Sequence, residues 1–540
     1  MHMDSPAFSP SQLPHTSKLF IDFIENFPKL KTFYAHAPTF DSIAAYAKTL
    51  DYPALRRREV AGILRAQNIS FACSPQTEKN LQRLEAGAVA VVSGQQVGLF
   101  GGPAYALYKA ISAIQAAAEL TAAGVDAVPV FWMATEDHDV DEVRHVDLFG
   151  DGKLHHFELP KPDAEAVPVG KIQLGSQMDE LVAQASALLT GPDGPSLVQL
   201  LHNSYIPTAT YSSAFASLFA QIFAAQGLIL LDPLDEKLHR VAAPILRAAL
   251  AERETLNEAL LHRGKELQHA GYDVQVNVTT RSTLLFSLAG GKRQVISTNS
   301  NGKFVSGEHS APPDEWLRQI EAKPEKFSPN ALLRPVVQDF LLPTVAYFGG
   351  PAEIAYFAQS SVLYEKLLGH MPVLMPRADF TLIDPKAQRI LTKYGLQVQN
   401  VWLGQQELQK HMYGMSLPIE LSNEFETSLG HIEEHTHKLF QAVGKVDPTL
   451  REGISRSEKR IRYQLEKTRR KIGASLDRHE NVITGHAAFL NNLLFPQKGL
   501  QSRDLSFLPF LARWGSFSIS ELLKLASIKG SWRHRVVCIP

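Results

Sequence analysis

Four side chains suited to acid–base chemistry follow one another after an apolar run of the sequence. The run AVPVFWMA at 127–134 is typical of a buried strand, and TEDHDVDE follows it at 135–142. Carboxylates this close raise one another's pKa, and a histidine among them can be held in one tautomer, as a general base or an amine-positioning group requires. The predicted catalytic residues are Glu136, Asp137, His138 and Asp139.

Two other interpretations of this acidic segment stay open. Carboxylates with one histidine suit Mg²⁺ or Mn²⁺, but the spacing matches no defined ligand motif and no second coordinating segment is evident, so we predict no metal ligand. Acidic residues are also common in the first turn of a helix, where they interact favourably with the helix dipole. Catalytic or substrate-binding use is the interpretation that we carry forward.

A glycine-rich turn lies one helix earlier, where the apolar run 88–92 leads into SGQQVG at 93–98. It is not a Walker A loop, because Lys109 lies well inside the next helix, and it is not a dinucleotide fingerprint, because Gly94 and Gly98 are four residues apart. Glycine lets a ligand approach the backbone, N–H groups at a helix start favour anions, and glutamine amides donate and accept. We expect a small polar or anionic ligand, with a purely structural turn as the alternative. The candidate binding residues are Gly94, Gln95, Gln96 and Gly98.

A third segment enters a helix in the same way. A glycine pair precedes a proline at a predicted first helical position, and a glutamate falls in the first turn. These further candidates for substrate or nucleotide binding are Gly349, Gly350, Pro351 and Glu353. A well-capped helix with aromatic packing is the alternative. Arg334 and Arg377 can clamp a carboxylate, although lone arginines are more often structural.

These segments share one context, in which a strand leads through a turn into a helix. The strand from Ala88, a helix at about 105–123 and the strand 127–134 form a βαβ unit, whose strands are parallel and whose ligands gather beyond the carboxyl ends. Further apolar strands follow at 227–232 and 371–376. The sequence therefore predicts an α/β fold with a doubly wound parallel sheet.

Changes in composition divide the chain into three predicted parts. Residues 1–381 form the sheet core, with insertions around 151–207 and 266–330, where turn residues and alternating apolar residues interrupt the βα pattern. Residues 382–492 are charged helix with apolar positions at three- and four-residue steps, which predicts a coiled coil and a dimer contact. Residues 493–540 are apolar again and are predicted to pack back on the core.

The overall composition excludes several classes of protein. The 540 residues carry 54 Lys and Arg against 55 Asp and Glu, so the basic excess of a nucleic-acid binder is missing. No apolar run of about 18 residues occurs, so we expect no membrane partner. The two cysteines, Cys73 and Cys538, show no metal or redox spacing. The first residues lack the basic and apolar segments of a signal peptide, and we expect a cytoplasmic protein.

Taken together, these segments resemble the bacillithiol-biosynthesis cysteine-adding enzyme family, the cysteine ligases of the last step of that pathway. Blocks in family order extend across nearly the whole chain, and their joint occurrence makes the resemblance specific. The blocks are SGQQVGLFGGPAYALYKAISAI, VFWMATEDHDVDEV, GLILLDP, RPVVQDFLLPTVAYFGGPAEIAYFAQ, MPVLMPRADFTLID and LFPQKGLQSRDLSFLPFLARWG.

The resemblance implies a Rossmann-like core with connecting-peptide insertions and a coiled-coil domain that forms a homodimer. It implies a ligase that joins the carboxyl group of L-cysteine to the amine of glucosaminyl-malate through an amide bond and yields bacillithiol. It also implies ATP, with Mg²⁺, as the activating co-substrate, by analogy with fold relatives. The His-x-Gly-His and Lys-Met-Ser-Lys-Ser signatures of those relatives do not occur in this sequence.

The pocket segments of the family fall on the candidate residues named above. In our hypothesis, N–H groups near Gly94 to Gly98 hold a phosphate or carboxylate, and His138 or a neighbouring carboxylate accepts the proton of the amine. Two rival functions stay open. One is a metal-dependent hydrolase centred on residues 136–142, and the other is a non-catalytic scaffold whose pocket only binds a metabolite.

Overall fold

The computed structural model describes residues 6–162, 166–415, 417, 419–477 and 481–539. The chain divides into two compact units. The first comprises the residues up to Gly150, His155–Thr381 and Ser502–Val536, and it contains all of the predicted site residues. The second comprises Asp151–Leu154, Leu382–Gln501 and the residues from Val537 onward.

Strands and helices follow one another along most of the described chain. The strands are β1 (Ala7–Phe8), β2 (Val89–Gln95), β3 (Ala127–Met133), β4 (His145–Gly150), β5 (Lys153–Glu158), β6 (Ile229–Leu231), β7 (Ser282–Ala289), β8 (Lys292–Thr298), β9 (Phe304–Ser306), β10 (His309–Ala311), β11 (Phe327–Pro329), β12 (Thr344–Gly349), β13 (Val373–Pro376), β14 (Asp379–Ile383) and β15 (His534–Cys538). The helices are α1 (Lys18–Glu25), α2 (Phe40–Ala47), α3 (Ala54–Ser70), α4 (Pro75–Ala86), α5 (Ala104–Ala122), α6 (Val140–Val143), α7 (Met178–Leu188), α8 (Gly194–Ser204), α9 (Tyr211–Ile222), α10 (Glu236–Ala251), α11 (Arg253–His269), α12 (Pro313–Ala322), α13 (Arg334–Leu341), α14 (Pro351–Leu367), α15 (Pro385–Lys393), α16 (Val398–Val401), α17 (Gln405–Met415), α18 (Ile419–Val446), α19 (Arg451–Asp477), α20 (Val482–Leu494), α21 (Gln501–Asp504) and α22 (Leu508–Leu525).

The first unit is built around a five-stranded parallel sheet in the order β13-β12-β2-β3-β6. β2 lies in the middle, and the register places Gly94 opposite Trp132 of β3 and Ser93 opposite Phe348 of β12. A parallel sheet covered on both faces has strands that are apolar along their length, which is the pattern of β2, β3 and β12. The sheet confirms the predicted α/β fold.

Helices pack on both faces of this sheet. Successive side chains of a strand point to opposite faces, so Ala90 and Val92 enter a core that also contains residues of α3 and α10. Val91 enters a second core with Ala113 and Ala117 of α5. Burying a valine side chain fully contributes about 1.5–3 kcal/mol to folding. The sheet is therefore doubly wound, as predicted.

A second sheet lies between α11 and α13 along the chain, and its five antiparallel strands have the order β10-β9-β8-β7-β11. β7 and β8 form a hairpin that turns at Gly290 and Gly291, whose φ angles of 60° and 79° glycine adopts without strain. Arg293 follows this turn in β8. The insertion thereby brings a charged side chain to the edge of the parallel sheet.

The second unit is helical. α18 and α19 contain 28 and 27 residues and are joined through a short turn at Pro448–Leu450. Phe425 and Leu429 of α18 are buried, and Arg469 of α19 pairs with Glu426 of α18 at 2.8 Å. These helices confirm the predicted coiled-coil domain. No helix within the described ranges combines the length and the apolar character needed to cross a membrane.

Candidate active site

A cavity of about 690 Å³ lies beyond the carboxyl ends of the parallel strands, a volume typical of small-molecule sites. The ends of β2, β3, β12 and β13 contribute to its lining, together with the inserted hairpin β7–β8 and the start of α13. Among the predicted residues, the lining includes Gly94, Gln95, Gln96, Glu136, Asp137, His138, Gly350, Pro351 and Glu353. As outlined by the described residues, it does not include Gly98, Asp139 or Gly349.

Arg293 of β8 connects the inserted sheet with the acidic segment. Its side chain is 8% exposed, and its Nη1 atom lies 3.2 Å from Oδ1 of Asp137 and 3.1 Å from Nδ1 of His138. Its other guanidinium nitrogens donate to the Ser328 hydroxyl at 3.0 Å and to the Pro329 carbonyl at 2.9 Å. The rigid guanidinium fork thus holds two of the predicted catalytic side chains in one arrangement.

Two contacts of His138 bear on which of its nitrogens carries a hydrogen, because Nδ1 lies 3.1 Å from Nη1 of Arg293 and 3.4 Å from Oδ1 of Asp137. A hydrogen bond from Nδ1 to Asp137 needs the hydrogen on Nδ1, whereas a guanidinium has only N–H donors, so the shorter contact with Arg293 needs the tautomer with the hydrogen on Nε2. His138 lines the cavity, where this tautomer offers a donor to a ligand. The expected role of His138 as a proton acceptor needs the lone pair on Nε2, which is the tautomer that the contact with Asp137 suits, and this role stays a prediction.

Asp137 is held as a carboxylate. Its Oδ2 atom accepts from Nε2 of Gln96 at 2.8 Å, and Oδ1 accepts from the backbone N–H of His138 at 2.7 Å. Burial alone would raise the pKa of Asp137, but the adjacent His138 side chain, the charge of Arg293 and the hydrogen bonds from the His138 N–H and Gln96 hold the pKa well below its usual range. Oε1 of Gln96 is buried without a hydrogen-bond partner in the described part of the chain, so it can accept from a ligand.

Glu136 is in the opposite protonation state. Its side chain is 8% exposed, and Oε1 lies 3.4 Å from Nε2 of His239. Burial raises the pKa of Glu136 to about 8, although the charge of Arg293 acts in the other direction. Glu136 therefore holds a proton at neutral pH while Asp137 is ionised. Two adjacent carboxyl groups with pKa values this far apart suit separate acid and base roles.

Lys109 of α5 fixes the end of β2. Its buried ammonium group donates to the Gly94 carbonyl at 2.8 Å and to Oε1 of Gln95 at 2.7 Å, and it forms an ion pair with Glu353. Gln95 donates in turn to the Tyr105 hydroxyl at 3.1 Å. The amide of Gln95 is thus oriented from both ends by residues of the same helix.

Glu353 caps the start of α14. Its carboxylate accepts from the backbone N–H of Gly350 at 2.8 Å and from the Tyr347 hydroxyl at 2.5 Å. Burial would raise the pKa of Glu353, but the charge of Lys109 and these hydrogen bonds lower it. The contacts match the alternative of a well-capped helix. A ligand-binding role for Glu353 stays a prediction.

The glycine turn differs from the expected anion cradle. A Cβ atom on Gly94 would lie 2.6 Å from the Trp132 carbonyl oxygen, and one on Gly98 would lie 2.9 Å from Cα of Gly102. The first N–H group of α5 donates to the carbonyl of Leu505 at 2.8 Å. A side chain at either glycine would therefore clash with neighbouring backbone, and the first N–H group of α5 already has a partner within the chain.

The rest of the acidic segment has other partners. Asp139 is exposed at the start of α6, outside the cavity, and Asp141 pairs with Arg144 at 2.7 Å and with Lys161 at 2.8 Å. Glu142 lines the cavity, and burial raises its pKa. The carboxylates of this segment thus face different directions. Over the described ranges, no group of three or more His, Cys, Asp or Glu side chains is arranged to hold a metal ion.

Besides Arg293, three arginines contribute positive charge to the cavity wall, namely Arg334, Arg377 and Arg503. Arg377 is buried in an ion pair with Asp379 at 2.5 Å, which makes it structural. Arg334 donates to the Tyr356 hydroxyl at 2.5 Å. Arg334 and Arg503 form no ion pair with a carboxylate of the described chain, so their charge is available to an anionic ligand.

Sequence reasoning missed Arg293 as a site residue and gave Lys109 no role. No motif surrounds Arg293, which follows a glycine turn in a segment predicted only as an insertion. A signal for Lys109 was available, because Tyr105 and Lys109 are four residues apart and share one face of the helix that follows the glycine turn.

Comparison with known families covers nearly the whole chain. Residues 7–378 match the family described as "Bacillithiol biosynthesis BshC, N-terminal Rossmann-like domain". Residues 380–539 match "Bacillithiol biosynthesis BshC, C-terminal coiled-coil domain".

Curated relatives of similar length carry one name. "Putative cysteine ligase BshC" of Koribacter versatilis (strain Ellin345) is 42% identical over 528 residues, which cover 98% of each chain. The protein with the same name from Solibacter usitatus (strain Ellin6076) is 37% identical over 508 residues, or 94% of each chain. On the strength of both family matches and these relatives, the chain belongs to the bacillithiol-biosynthesis BshC family.

Proposed function

We propose that this chain is a ligase that joins the carboxyl group of L-cysteine to the amine of glucosaminyl-malate and so forms the amide bond of bacillithiol. The observation that carries the proposal is the contact of Arg293 with Asp137 and His138 beside the buried Glu136, in a cavity at the carboxyl end of the parallel sheet. Membership of the family and the names of the relatives support the ligase class and cysteine as a substrate.

The cavity offers groups for both substrates. L-cysteine and glucosaminyl-malate carry carboxylates, which suit the planar forks of Arg334 and Arg503 and the Nε2–H group of His138. The ionised Asp137 suits the neutral amine of a substrate, since a carboxylate accepts a charge-assisted hydrogen bond from an N–H group. Oε1 of Gln96 is a further acceptor for an amine or hydroxyl group.

ATP, with Mg²⁺, belongs to the proposal as a co-substrate. When bound, it supplies the phosphoryl or adenylyl group that turns a carboxyl oxygen into a leaving group. The cationic side chains Arg334 and Arg503 fit its phosphates. The glycine turn does not fit them, because the first N–H group of α5 is already used by Leu505.

The chain's own residues have defined tasks in this proposal. Asp137 orients the amine, and Arg293 keeps that carboxylate ionised and His138 in the donor tautomer. His138 donates to a carboxyl oxygen that gains negative charge as the amine attacks, the kind of preorganised donor that stabilises a transition state.

The experiment that tests the proposal is mass spectrometry of the purified full chain after incubation with L-cysteine, glucosaminyl-malate and Mg-ATP. ATP is omitted in a parallel reaction. We expect bacillithiol only when ATP is present, together with AMP or ADP. Absence of product in both reactions contradicts the ligase proposal, whereas product without ATP contradicts only the role of the nucleotide.

We also propose that the chain forms a homodimer through α18 and α19. Leu439, Val446, Leu450 and Ile461 are large apolar side chains that are 44–88% exposed on this helical hairpin, and a second copy would cover them. Light scattering of the full chain is expected to give the mass of a dimer. The double substitution Leu439→Glu and Ile461→Glu is expected to give a monomer, and an unchanged mass would contradict this interface.

A further inference from the structure

His239 lies next to Glu136 but is not among the residues that line the cavity. It belongs to α10 and is 5% exposed. Its Nδ1 atom lies 3.2 Å from the carbonyl oxygen of Pro324, and because a carbonyl oxygen only accepts, Nδ1 carries the ring hydrogen. The lone pair is therefore on Nε2, which lies 3.4 Å from Oε1 of Glu136.

Glu136 is the natural donor to this lone pair. Its carboxyl group is buried, and it forms no ion pair with a lysine or arginine of the described residues. A buried carboxyl group without a close cation is more stable when it is protonated, and in that form it donates a hydrogen bond. In this buried contact Glu136 is the hydrogen-bond donor and His239 is the acceptor. Glu136 also lines the cavity.

We propose that His239 is a positioning residue that accepts the proton of Glu136, so that the pair relays the proton released by the attacking amine. This inference rests on the proposed function. As the C–N bond forms, an N–H bond of the amine breaks and its proton passes to Glu136. In the same step Glu136 passes the proton that it already held to Nε2 of His239, so its carboxyl group carries one proton throughout. The activated carboxyl group loses its leaving group with the electron pair of the broken C–O bond.

Charged neighbours determine where the proton rests. Burial lowers the pKa of His239, while the charge of Glu325 raises it and that of Lys171 lowers it. Around Glu136, Asp232 and Asp137 favour the protonated form, and Arg293 and Arg334 favour the ionised form. The proton therefore rests on Glu136, and the imidazolium of His239 forms only when a second proton arrives from the amine.

The imidazolium is stabilised by groups already in place. Its Nδ1–H group still donates to the Pro324 carbonyl oxygen, and its new Nε2–H group faces Glu136. Glu325 supplies a negative charge that stabilises the imidazolium. When the product leaves, the proton returns through Glu136 to the cavity. The relay thus resets without any movement of the backbone.

Infrared difference spectroscopy of the full chain tests the pair without any substrate. We expect the wild type at neutral pH to show the C=O stretch of a protonated carboxyl group that is absent in Glu136→Gln. In His239→Gln this band is expected to shift, because the acceptor of the Glu136 proton has changed. A wild type without the band, or a band that His239→Gln leaves in place, overturns the inference.

Product formation supplies the second arm of the test. His239→Gln is expected to lower kcat about 10²-fold, within the range of a positioned acid–base group, with KM for cysteine little changed. His239→Asn retains an N–H donor for Pro324 but presents no acceptor to Glu136, and we expect it to be equally slow. His262→Gln, a substitution of an exposed histidine on α11, is the matched control and should keep full activity.

The infrared and product-formation measurements together distinguish failure of this inference from failure of the proposed function. If the wild type forms bacillithiol and both His239 variants do so at full rate while folded, the relay is wrong and the ligase proposal stands. If the wild type forms no bacillithiol, the ligase proposal and the amine step fail. The infrared bands then still decide whether Glu136 and His239 share a proton.

Discussion

The Nη1 atom of Arg293 lies 3.1 Å from Nδ1 of His138, although the two residues are 155 positions apart in the chain. The arginine comes from the inserted antiparallel sheet, and the histidine follows a strand of the parallel sheet. This single contact makes the insertion part of the candidate site, and it favours the tautomer of His138 with the hydrogen on Nε2. Substitutions at this contact and at its neighbours should therefore have measurable and distinct effects.

Arg293→Lys should impair the site although it preserves the charge. A lysine has no planar fork, so it cannot donate hydrogen bonds to Asp137, His138 and the Pro329 carbonyl at the same time. We expect bacillithiol formation to fall about 10²-fold, the lower end of what a positioned acid–base group contributes. Arg281→Lys, at an exposed arginine of the same insertion, is the control. Equal activity of the two variants would contradict the assignment of Arg293.

Asp137→Asn and Asp139→Asn should separate the two aspartates that flank His138. Asp137 contacts Gln96 and Arg293 in the cavity, whereas Asp139 is exposed outside it. We expect Asp137→Asn to reduce bacillithiol formation about 10²-fold and Asp139→Asn to leave it within about twofold of the wild type. A large loss of bacillithiol formation in Asp139→Asn would instead support the prediction from sequence that Asp139 is catalytic.

Gly94→Ala and Gly350→Ala should differ in stability. The new Cβ atom at position 94 would lie 2.6 Å from the Trp132 carbonyl oxygen, whereas at position 350 its closest neighbour would be Oε2 of Glu353 at 3.6 Å. We expect Gly94→Ala to cost about 1–3 kcal/mol of folding free energy, since overpacking forces the sheet apart. Tm measured by calorimetry should fall for Gly94→Ala and stay near the wild-type value for Gly350→Ala.

Substitutions of the buried ion pair Lys109–Glu353 should have non-additive effects on the free energy of unfolding. Lys109→Met leaves the Glu353 carboxylate buried and uncompensated, a change that costs about 3–5 kcal/mol in buried ion pairs. Adding Glu353→Gln removes that charge, so the double variant should recover part of the loss. Unfolding of both single variants and the double variant, followed by tryptophan fluorescence, measures the coupling. Simple additivity would contradict a direct ion pair.

Protonation of Glu136 predicts how stability depends on pH. The folded-state pKa of about 8 lies above the ordinary glutamate value of 4.5, so the native state binds a proton that the unfolded state has lost between these values. The contribution of Glu136 to the free energy of unfolding is fully present below pH 4.5 and is lost as pH rises through about 8. The Tm of the wild type should therefore fall relative to that of Glu136→Gln as pH rises over this interval. A constant difference in Tm would contradict a buried, protonated Glu136.

Much of the fold was predictable from local pattern. Apolar runs such as 127–134, each bounded by a turn and a helix, are typical of parallel strands, and apolar positions at three- and four-residue steps indicate a coiled coil. The location of the site was predictable for the same reason. The carboxyl ends of adjacent parallel strands meet at one edge of a sheet, which brings Gln96, Asp137 and Gly350 to one cavity.

By itself, the sequence determined the parallel α/β architecture, the coiled coil and the strand ends at which the cavity forms, because apolar periodicity and turn residues act over short stretches of chain. Only the tertiary structure decided the chemical state of the site. Asp137 is ionised and Glu136 protonated because Arg293 and the hydrogen-bond donors face one carboxyl group while burial dominates the other. Protonation depends on burial and on charges within a few ångströms, and those neighbours come from segments far apart in the chain.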